Sequence, residues 1–348
     1  MAGLIRFDQT DIVNDVQKVV TSTWSDNTNN LTTAFTSSTQ AAVTLPTSLG
    51  SHYLEVYNKV PSDTTSVVQY ALAYGNKNGS GSLDFTNDVG SIGIGPSKNI
   101  YSQYRQIVFG DETSDFNFNG FVPDDIYVIN INRARYKHNL KPGTLDLRLS
   151  GSGQSGPGIL HLTDDSITLT GSSTVTNVGR QFNIVSGSLG TQLGSDVVQV
   201  TNSGSYGFFY PDAGFIILNP SAVGGLATGS IEGLTPGVSS NTADNNHFKL
   251  YQHISGGAHF IIDSEEKVSS QFYFARAKNN EFNYTTNPSF IDNNGNVNID
   301  SMIDNPQTFI TTVGLYNDSG DLVAVAKLSQ PVTKDFTKEA LIRVKLDY

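Results

Sequence analysis

The sequence predicts a mainly β protein with a few short helices (α+β), built as a composite antiparallel sheet or sandwich with an inserted β-rich domain. Three observations predict it. The chain ends in apolar runs, Thr308 to Tyr348, broken by the polar turn Asn317-Asp318-Ser319-Gly320-Asp321; Asn, Asp and Gly tolerate positive φ, so a hairpin follows. Charged residues are only 15% of 348, while aromatics reach 10% and there are 33 glycines, a composition of strands and turns rather than of disorder. Between 151 and 240, short apolar runs recur about every ten residues with Gly/Ser turns between them, as in a sandwich or barrel-like unit.

Taken in order, Asp11 to Val20 places Ile12, Val13, Val16, Val19 and Val20 at helical spacing, with Asp11 as N-cap, although its β-branched content argues against a robust helix. A Ser/Thr/Asn-rich stretch follows, so residues 1–45 read as an N-terminal arm or peripheral segment that needs a neighbour for order. His52 to Asn58 alternates, and Val67 to Gly75 is a core-type strand. Pro96 to Phe109 reads as a helix with Ile100, Tyr104, Ile107 and Val108 on one face and Pro96 in its first turn. Ile126–Asn132 and Thr144–Ser150 are strands. The middle block supplies ILHLT, SITLT, FNIVS, DVVQV, GFFY and GFIILN. A short helix is expected over Ala243–Ile254, then strands at His259–Ile262 and Gln271–Lys278. Leu322 to Ala326 is apolar on both faces, which predicts cover on both sides. Ile342, Val344 and Leu346 alternate with charge, a half-buried strand. The expected division is 46–150 with 259–348 as one β-rich body and 151–258 inserted into it.

The net charge is −11 and the pI near 4.9, a balance that repels phosphate backbones and argues against nucleic acid as the main partner. The absence of cysteine removes disulfides, thiolate nucleophiles and Cys-based metal sites. Arg6 and Asp8 interrupt the start, so no signal-peptide core is expected, and no run approaches the length of a membrane span.

Asp115-Phe-Asn117-Phe-Asn119-Gly120 opens like a calcium loop, but its twelfth position is Ile126 rather than a bidentate acid. A polar turn is the expected reading. Gly151 to Gly156 matches G-x-G-x-x-G without a following helix, and Gly90 to Gly95 meets Pro96 where a phosphate-binding loop needs Lys. The histidines near one another, His247, His253 and His259, lack zinc-site spacing. Adjacent carboxylates such as Glu265-Glu266 and Asp124-Asp125 point to opposite faces of a strand. No catalytic residue, cofactor or metal is therefore assigned. The candidates for partner contact are aromatic: Trp24 and Phe35 in the arm, and Tyr206, Phe208, Phe209 and Tyr210 in the middle block. Trp24, the sole tryptophan, has no local core and is expected to anchor in a partner or in a remote part of its own fold.

Longer phrases carry a resemblance. VVQYALAYGNKNGSGSLD (67–84), IYSQYRQIVFGDE (100–112), INRARYKHNLKPGTLDLRLSG (131–151), NSGSYGFFYPDAGFIILNP (202–220), NTADNNHFKLYQHISGGAHF (241–260), FARAKNNEFNYTTNPSFI (274–291), VGLYNDSGDLVAVAKLSQP (313–331) and ALIRVKL (340–346) resemble virion structural proteins of T4-like contractile-tailed phages, especially those of marine cyanobacteria. The order of strand, helix, insertion and closing segment is similar, more weakly, to their baseplate wedge subunit. The resemblance implies a non-enzymatic, β-rich tail component located in the virion and made in the host cytoplasm. Its implied partners are other tail and baseplate proteins and tail fibres, with a homo-oligomer, a dimer included, as its state. A neck, collar or head position is the alternative within that class. A virion-surface carbohydrate-binding module using Tyr206 and Tyr210 is the alternative outside it.

Overall fold

The computed structural model describes residues 4–37, 53–81, 95–151, 158–168, 173–193, 204–224, 233–237, 245–284 and 287–347. Its strands run in chain order as β1 (Ile12–Ser22), β2 (Tyr53–Tyr57), β3 (Val68–Asn76), β4 (Asp125–Ile131), β5 (Asn139–Leu140), β6 (Asp146–Ser150) and β7 (Ile159–Asp164). They continue as β8 (Thr174–Thr176), β9 (Gly179–Ser188), β10 (Thr191–Gln192), β11 (Gly207–Tyr210), β12 (Phe215–Leu218), β13 (Phe260–Ile261), β14 (Asp263–Ala277), β15 (Thr308–Tyr316), β16 (Leu322–Lys334) and β17 (Ala340–Asp347). The helices are α1 (Pro96–Phe109), α2 (Pro220–Gly224) and α3 (Asn246–Gly257). The mainly β, antiparallel class expected from the sequence is what the chain adopts. Among the described residues no helix is long and apolar enough to cross a membrane.

The chain divides into two compact units, Val19–Glu266 and a second made of Met1–Lys18 with Lys267–Tyr348. This corrects the expected insertion of 151–258. In the larger unit the strands run β13-β6-β7-β9-β11-β12-β4-β3-β2, with β8 and β10 paired to β9. β12 lies directly on β4, with Ile217 opposite Val128, so the middle block is sewn into the same sheet as the strands before it. The physical reason is legible in β4, β11 and β12. Their runs are apolar on both faces, which fits central strands covered on both sides. Tyr127, Ile129, Phe209, Ile216 and Leu218 face one core with Trp24, Leu250 and Phe260. Ile126, Val128, Phe208, Tyr210, Phe215 and Ile217 face another with Tyr101, Tyr104 and Val108 of α1.

Helix α1 begins after Gly95 with Pro96 in its first turn and ends at Gly110, whose φ of 76° suits the left-handed cap. Its buried stripe is Tyr101, Tyr104 and Val108; Ile107, expected inward, is 37% exposed. Helix α3 turns Leu250 and Ile254 into the core, while Phe248 and Tyr251 pack against it half-buried. The 166–168 part of SITLT is a turn. The remainder of SITLT, all of DVVQV, the 152–157 glycine loop and Gly90 to Gly93 lie outside the described residues.

The arm expectation is corrected as well. Asp11 to Val20 is not a helix: β1 is a strand, as its β-branched content favours, and it pairs with β14. Beyond it, Trp24 and Leu31 belong to the core of the larger unit, and the Leu31 amide donates to the Phe260 carbonyl at 3.0 Å.

In the smaller unit β14 pairs with β17 over eight residues, Ser270 opposite Asp347 through Ala277 opposite Ala340. The terminal strand alternates as expected, with Val344 buried and Arg343 and Lys345 outward over the Phe272 ring. β15 and β16 form a separate two-stranded ribbon. Its turn closes as the residue types predict: the Asn317 amide donates to the Asp321 carbonyl at 3.0 Å, and Gly320 has φ 84°.

Candidate functional site

The aromatic candidates are mostly structural. Trp24 is 2% exposed, donates from Nε1 to the Phe260 carbonyl at 2.7 Å, and packs its ring 4.9 Å from that of Phe260. Its anchor point is thus a remote part of its own fold. Tyr206, Phe208, Phe209 and Tyr210 are all buried; Phe208 stacks on Phe118 at 4.7 Å, and the Tyr210 hydroxyl donates to Gln181 at 3.0 Å. Strands covered on both faces leave these rings no solvent side, so they are corrected from partner or glycan contacts to core residues. Phe35 is half-buried and bridges Tyr57 through two backbone hydrogen bonds of 3.1 and 2.8 Å.

The calcium-like loop is a turn. Phe116 and Phe118 point into the core, while Asp115 pairs with Lys77 and, at 2.6 Å, with Arg105. Its carboxylate is committed to tying the loop to α1 and to Lys77, the residue after β3. Among the described residues no group of three or more His, Asp or Glu converges in a way that fits a metal ion.

The titratable cluster that sequence reading missed joins β6, β7, β9 and the residue before β13. Asp146, 2% exposed, accepts from Ser188 Oγ at 2.7 Å and His259 Nε2 at 3.0 Å, with Arg148 Nη2 at 3.7 Å. Burial, with Arg148 next, pulls the nearby His161 imidazole below its ordinary value, which favours its neutral form. The chemistry available to His259 follows from Asn30. Asn30 Oδ1 accepts the Phe260 amide at 3.0 Å, which turns its Nδ2 toward His259 Nδ1 at 2.8 Å. The ring therefore accepts at Nδ1 and donates at Nε2 to Asp146. Both nitrogens are engaged inside the protein, and neither offers a lone pair to a substrate. The cluster pins the segments at 30 and 259 to β6. Asp146 and His259 stand 113 residues apart, and no local spacing announces the pair.

Asp164 and Asp165 are likewise staples. Asp164 accepts the Gly143 amide at 2.9 and 3.0 Å, and Asp165 accepts the Asn183 amide and side chain, each at 2.9 Å. Burial pushes both carboxyls above their ordinary value.

Both units expose large apolar side chains, among them Val175 and Ile167 on the larger one, and on the smaller one they gather in the β15–β16 ribbon. In the β15–β16 ribbon, Val323 is 68% exposed, Val325 56%, Phe309 55% and Leu322 51%. Among the described residues nothing supplies the cover expected on both faces of Leu322–Ala326. A half-open groove of about 610 Å³ lies in the same unit, lined by Leu4, Ile5, Phe282, Tyr284, Ile303 and Phe336 among others. Exposed apolar clustering of this kind is a feature of interaction surfaces and ligand-binding grooves. No protein family, curated protein or solved structure matches this chain.

Proposed function

We propose that this chain is a virion structural protein of a contractile-tailed phage, working as a tail baseplate wedge or fibre-attachment component that holds neighbouring subunits together. The observation that carries the proposal is the β15–β16 ribbon. Over Leu322–Ala326 it is apolar on both faces and largely exposed, among the described residues its strands pair only with each other, and most of it lies in the stretch, 313–331, whose wording resembles the phage family. A lone two-stranded sheet is marginally stable in water, and an uncovered strand edge is a template for another chain. Both features suit a protein that completes its fold in an assembly. The acidic balance of the chain calls for complementary patches on its neighbours.

Cryo-electron microscopy of intact particles of the phage encoding the chain tests this. Density at the baseplate, with the ribbon covered by a neighbouring chain, is the expected result. Density at the neck, collar or head keeps the structural role and overturns the baseplate placement. Absence from particles overturns the proposal.

A further inference from the structure

We propose that the Lys334 side chain condenses with the Asn283 side chain, giving an intramolecular amide bond that closes the base of the β15–β16 ribbon. The proposal stands apart from the virion reading, since it concerns bonding within one chain.

The pair is buried and in contact. Lys334, the last residue of β16, is 0% exposed and Asn283 is 6% exposed. Lys334 Nζ donates to Asn283 Oδ1 at 2.8 Å, to the Asn279 carbonyl at 3.0 Å and to the Asp335 carbonyl at 2.9 Å. Asn283 Nδ2 donates to that same Asn279 carbonyl at 2.7 Å. An ammonium carries donors only, so the end of the Asn283 amide that faces it is the oxygen. A carbonyl bond of about 1.23 Å then sets Asn283 Cγ within about 4 Å of Nζ. Reacting atoms in a near-attack arrangement stand about 3–3.5 Å apart, so the closure needed is small.

The surroundings favour the product. Among the described residues no carboxylate pairs with Lys334. The neighbouring Asp335 carboxylate is taken by Thr337 and, at 3.2 Å, by Lys338. A buried ammonium without a counter-ion carries a large desolvation cost. An amide in its place is neutral, and its N–H still serves one of the carbonyls.

The step balances without a cofactor. Nζ gives up the proton facing Asn283, and its lone pair then points at the same carbonyl group. The Nζ–Cγ bond forms and the Cγ–Nδ2 bond breaks. Nδ2 leaves with its own two protons and the two given up by the lysine ammonium, as ammonium ion. Nothing is oxidised or reduced. The Asn279 carbonyl holds both the attacking and the leaving nitrogen. The structure shows the hydrogen-bonded pair that precedes this step.

The bond joins positions 51 apart and encloses the ribbon. Thr308, the first residue of β15, lies opposite Lys334, and its hydroxyl donates to the Phe282 carbonyl. Both strands thus meet the 279–283 segment at one end, and the cross-link fixes the ribbon at its root. A covalent closure of this kind removes freedom from the unfolded chain.

Tryptic mapping of the purified full chain by mass spectrometry tests this. No Lys or Arg lies between Lys278 and Lys327, so the unlinked chain yields 279–327 as one peptide and is cut after Lys334. The linked chain is uncut there, and 279–327 is joined to 328–338 in a branched peptide lighter than the sum of its parts by one ammonia. That product is expected to accumulate as the folded chain is incubated at neutral pH, with the intact mass falling by the same ammonia. Lys334→Arg keeps the charge but has no primary amine, and Asn283→Ala has no side-chain carbonyl; neither is expected to give the branched peptide. Separate 279–327 and 328–334 peptides after incubation overturn the proposal. Ammonia lost while those peptides stay separate is an asparagine closing on its own backbone, and overturns it too. A branched peptide that forms equally fast in urea-unfolded chain overturns the part assigned to the fold. The outcome is independent of whether the chain is found in particles.

Discussion

Removing Trp24 tests whether the N-terminal stretch is an arm or part of the core. The indole is 2% exposed, and its neighbours are the Phe260 ring at 4.9 Å and the Tyr70 ring at 6.0 Å. Trp24→Ala deletes a buried aromatic, a change that costs about 3–5 kcal/mol through lost burial and the cavity left behind. The hydrogen bond adds little. The Phe260 carbonyl also accepts from the Leu31 amide at 3.0 Å, so it is not orphaned when the indole leaves, and the additional penalty of an unpaired buried acceptor does not arise. Trp24→Phe keeps a ring and loses one hydrogen bond and some volume, for about 1–2 kcal/mol. A domain stability of about 5–15 kcal/mol makes the larger loss easy to see. Because the chain holds one tryptophan, urea unfolding of the variants is followed by far-ultraviolet circular dichroism. The fluorescence of the wild-type chain reports burial directly. A midpoint shift worth less than about 1 kcal/mol at unchanged m-value for Trp24→Ala, or native fluorescence quenched by iodide as freely as an exposed indole, would refute the core assignment.

Three further outcomes are expected. Lys334 is fully buried and its ammonium donates to the Asn279 carbonyl at 3.0 Å, Asn283 Oδ1 at 2.8 Å and the Asp335 carbonyl at 2.9 Å; Lys334→Met keeps the stem, strands three acceptors and should cost the smaller unit about 2–4 kcal/mol, read by pulse proteolysis in urea. Gly257, in the last turn of α3, lies so close to β6 that a Cβ would overlap the Arg148 carbonyl; Gly257→Ala should push the helix off the sheet and cost about 1–3 kcal/mol in the same urea titration. Asp164 binds its proton more tightly in the fold than in the unfolded chain, because burial raises its carboxyl above 3.8. Its contribution is therefore fully present below that value and is lost as pH rises through the raised one, so the fall in wild-type stability across this window should flatten in Asp164→Asn, as measured by urea unfolding at stepped pH.

Local periodicity made α1 legible, since Pro96 and Gly110 mark its ends and Tyr104 and Val108 its buried face. It also made the terminal hairpin legible, because Asn317 and Gly320 can only suit a turn. Long-range register was not legible. The pairing of β12 with β4 sets Phe215 opposite Asn130, 85 positions apart in the chain, and nothing in either run names the other. The middle block therefore read as an insertion when it is the centre of one sheet. The same limit hid Asp146 and His259, whose pairing depends on β13 lying against β6. Composition misled at Trp24: a Ser/Thr/Asn-rich neighbourhood looks peripheral, yet one large aromatic pins it against Phe260, 236 residues away, and Tyr70.

The ribbon is the instructive failure. An apolar run on both faces of Leu322–Ala326 predicts burial on both faces, and the chain leaves Val323 and Val325 exposed. The physical premise is sound, because water-exposed valines on a two-stranded ribbon gain nothing from folding alone. What periodicity cannot specify is whether the cover belongs to the same chain. An unmet burial pattern beside an unpaired strand edge is what cover by another molecule would leave in a sequence. The mismatch between pattern and exposure is what singles the ribbon out as the proposed contact surface.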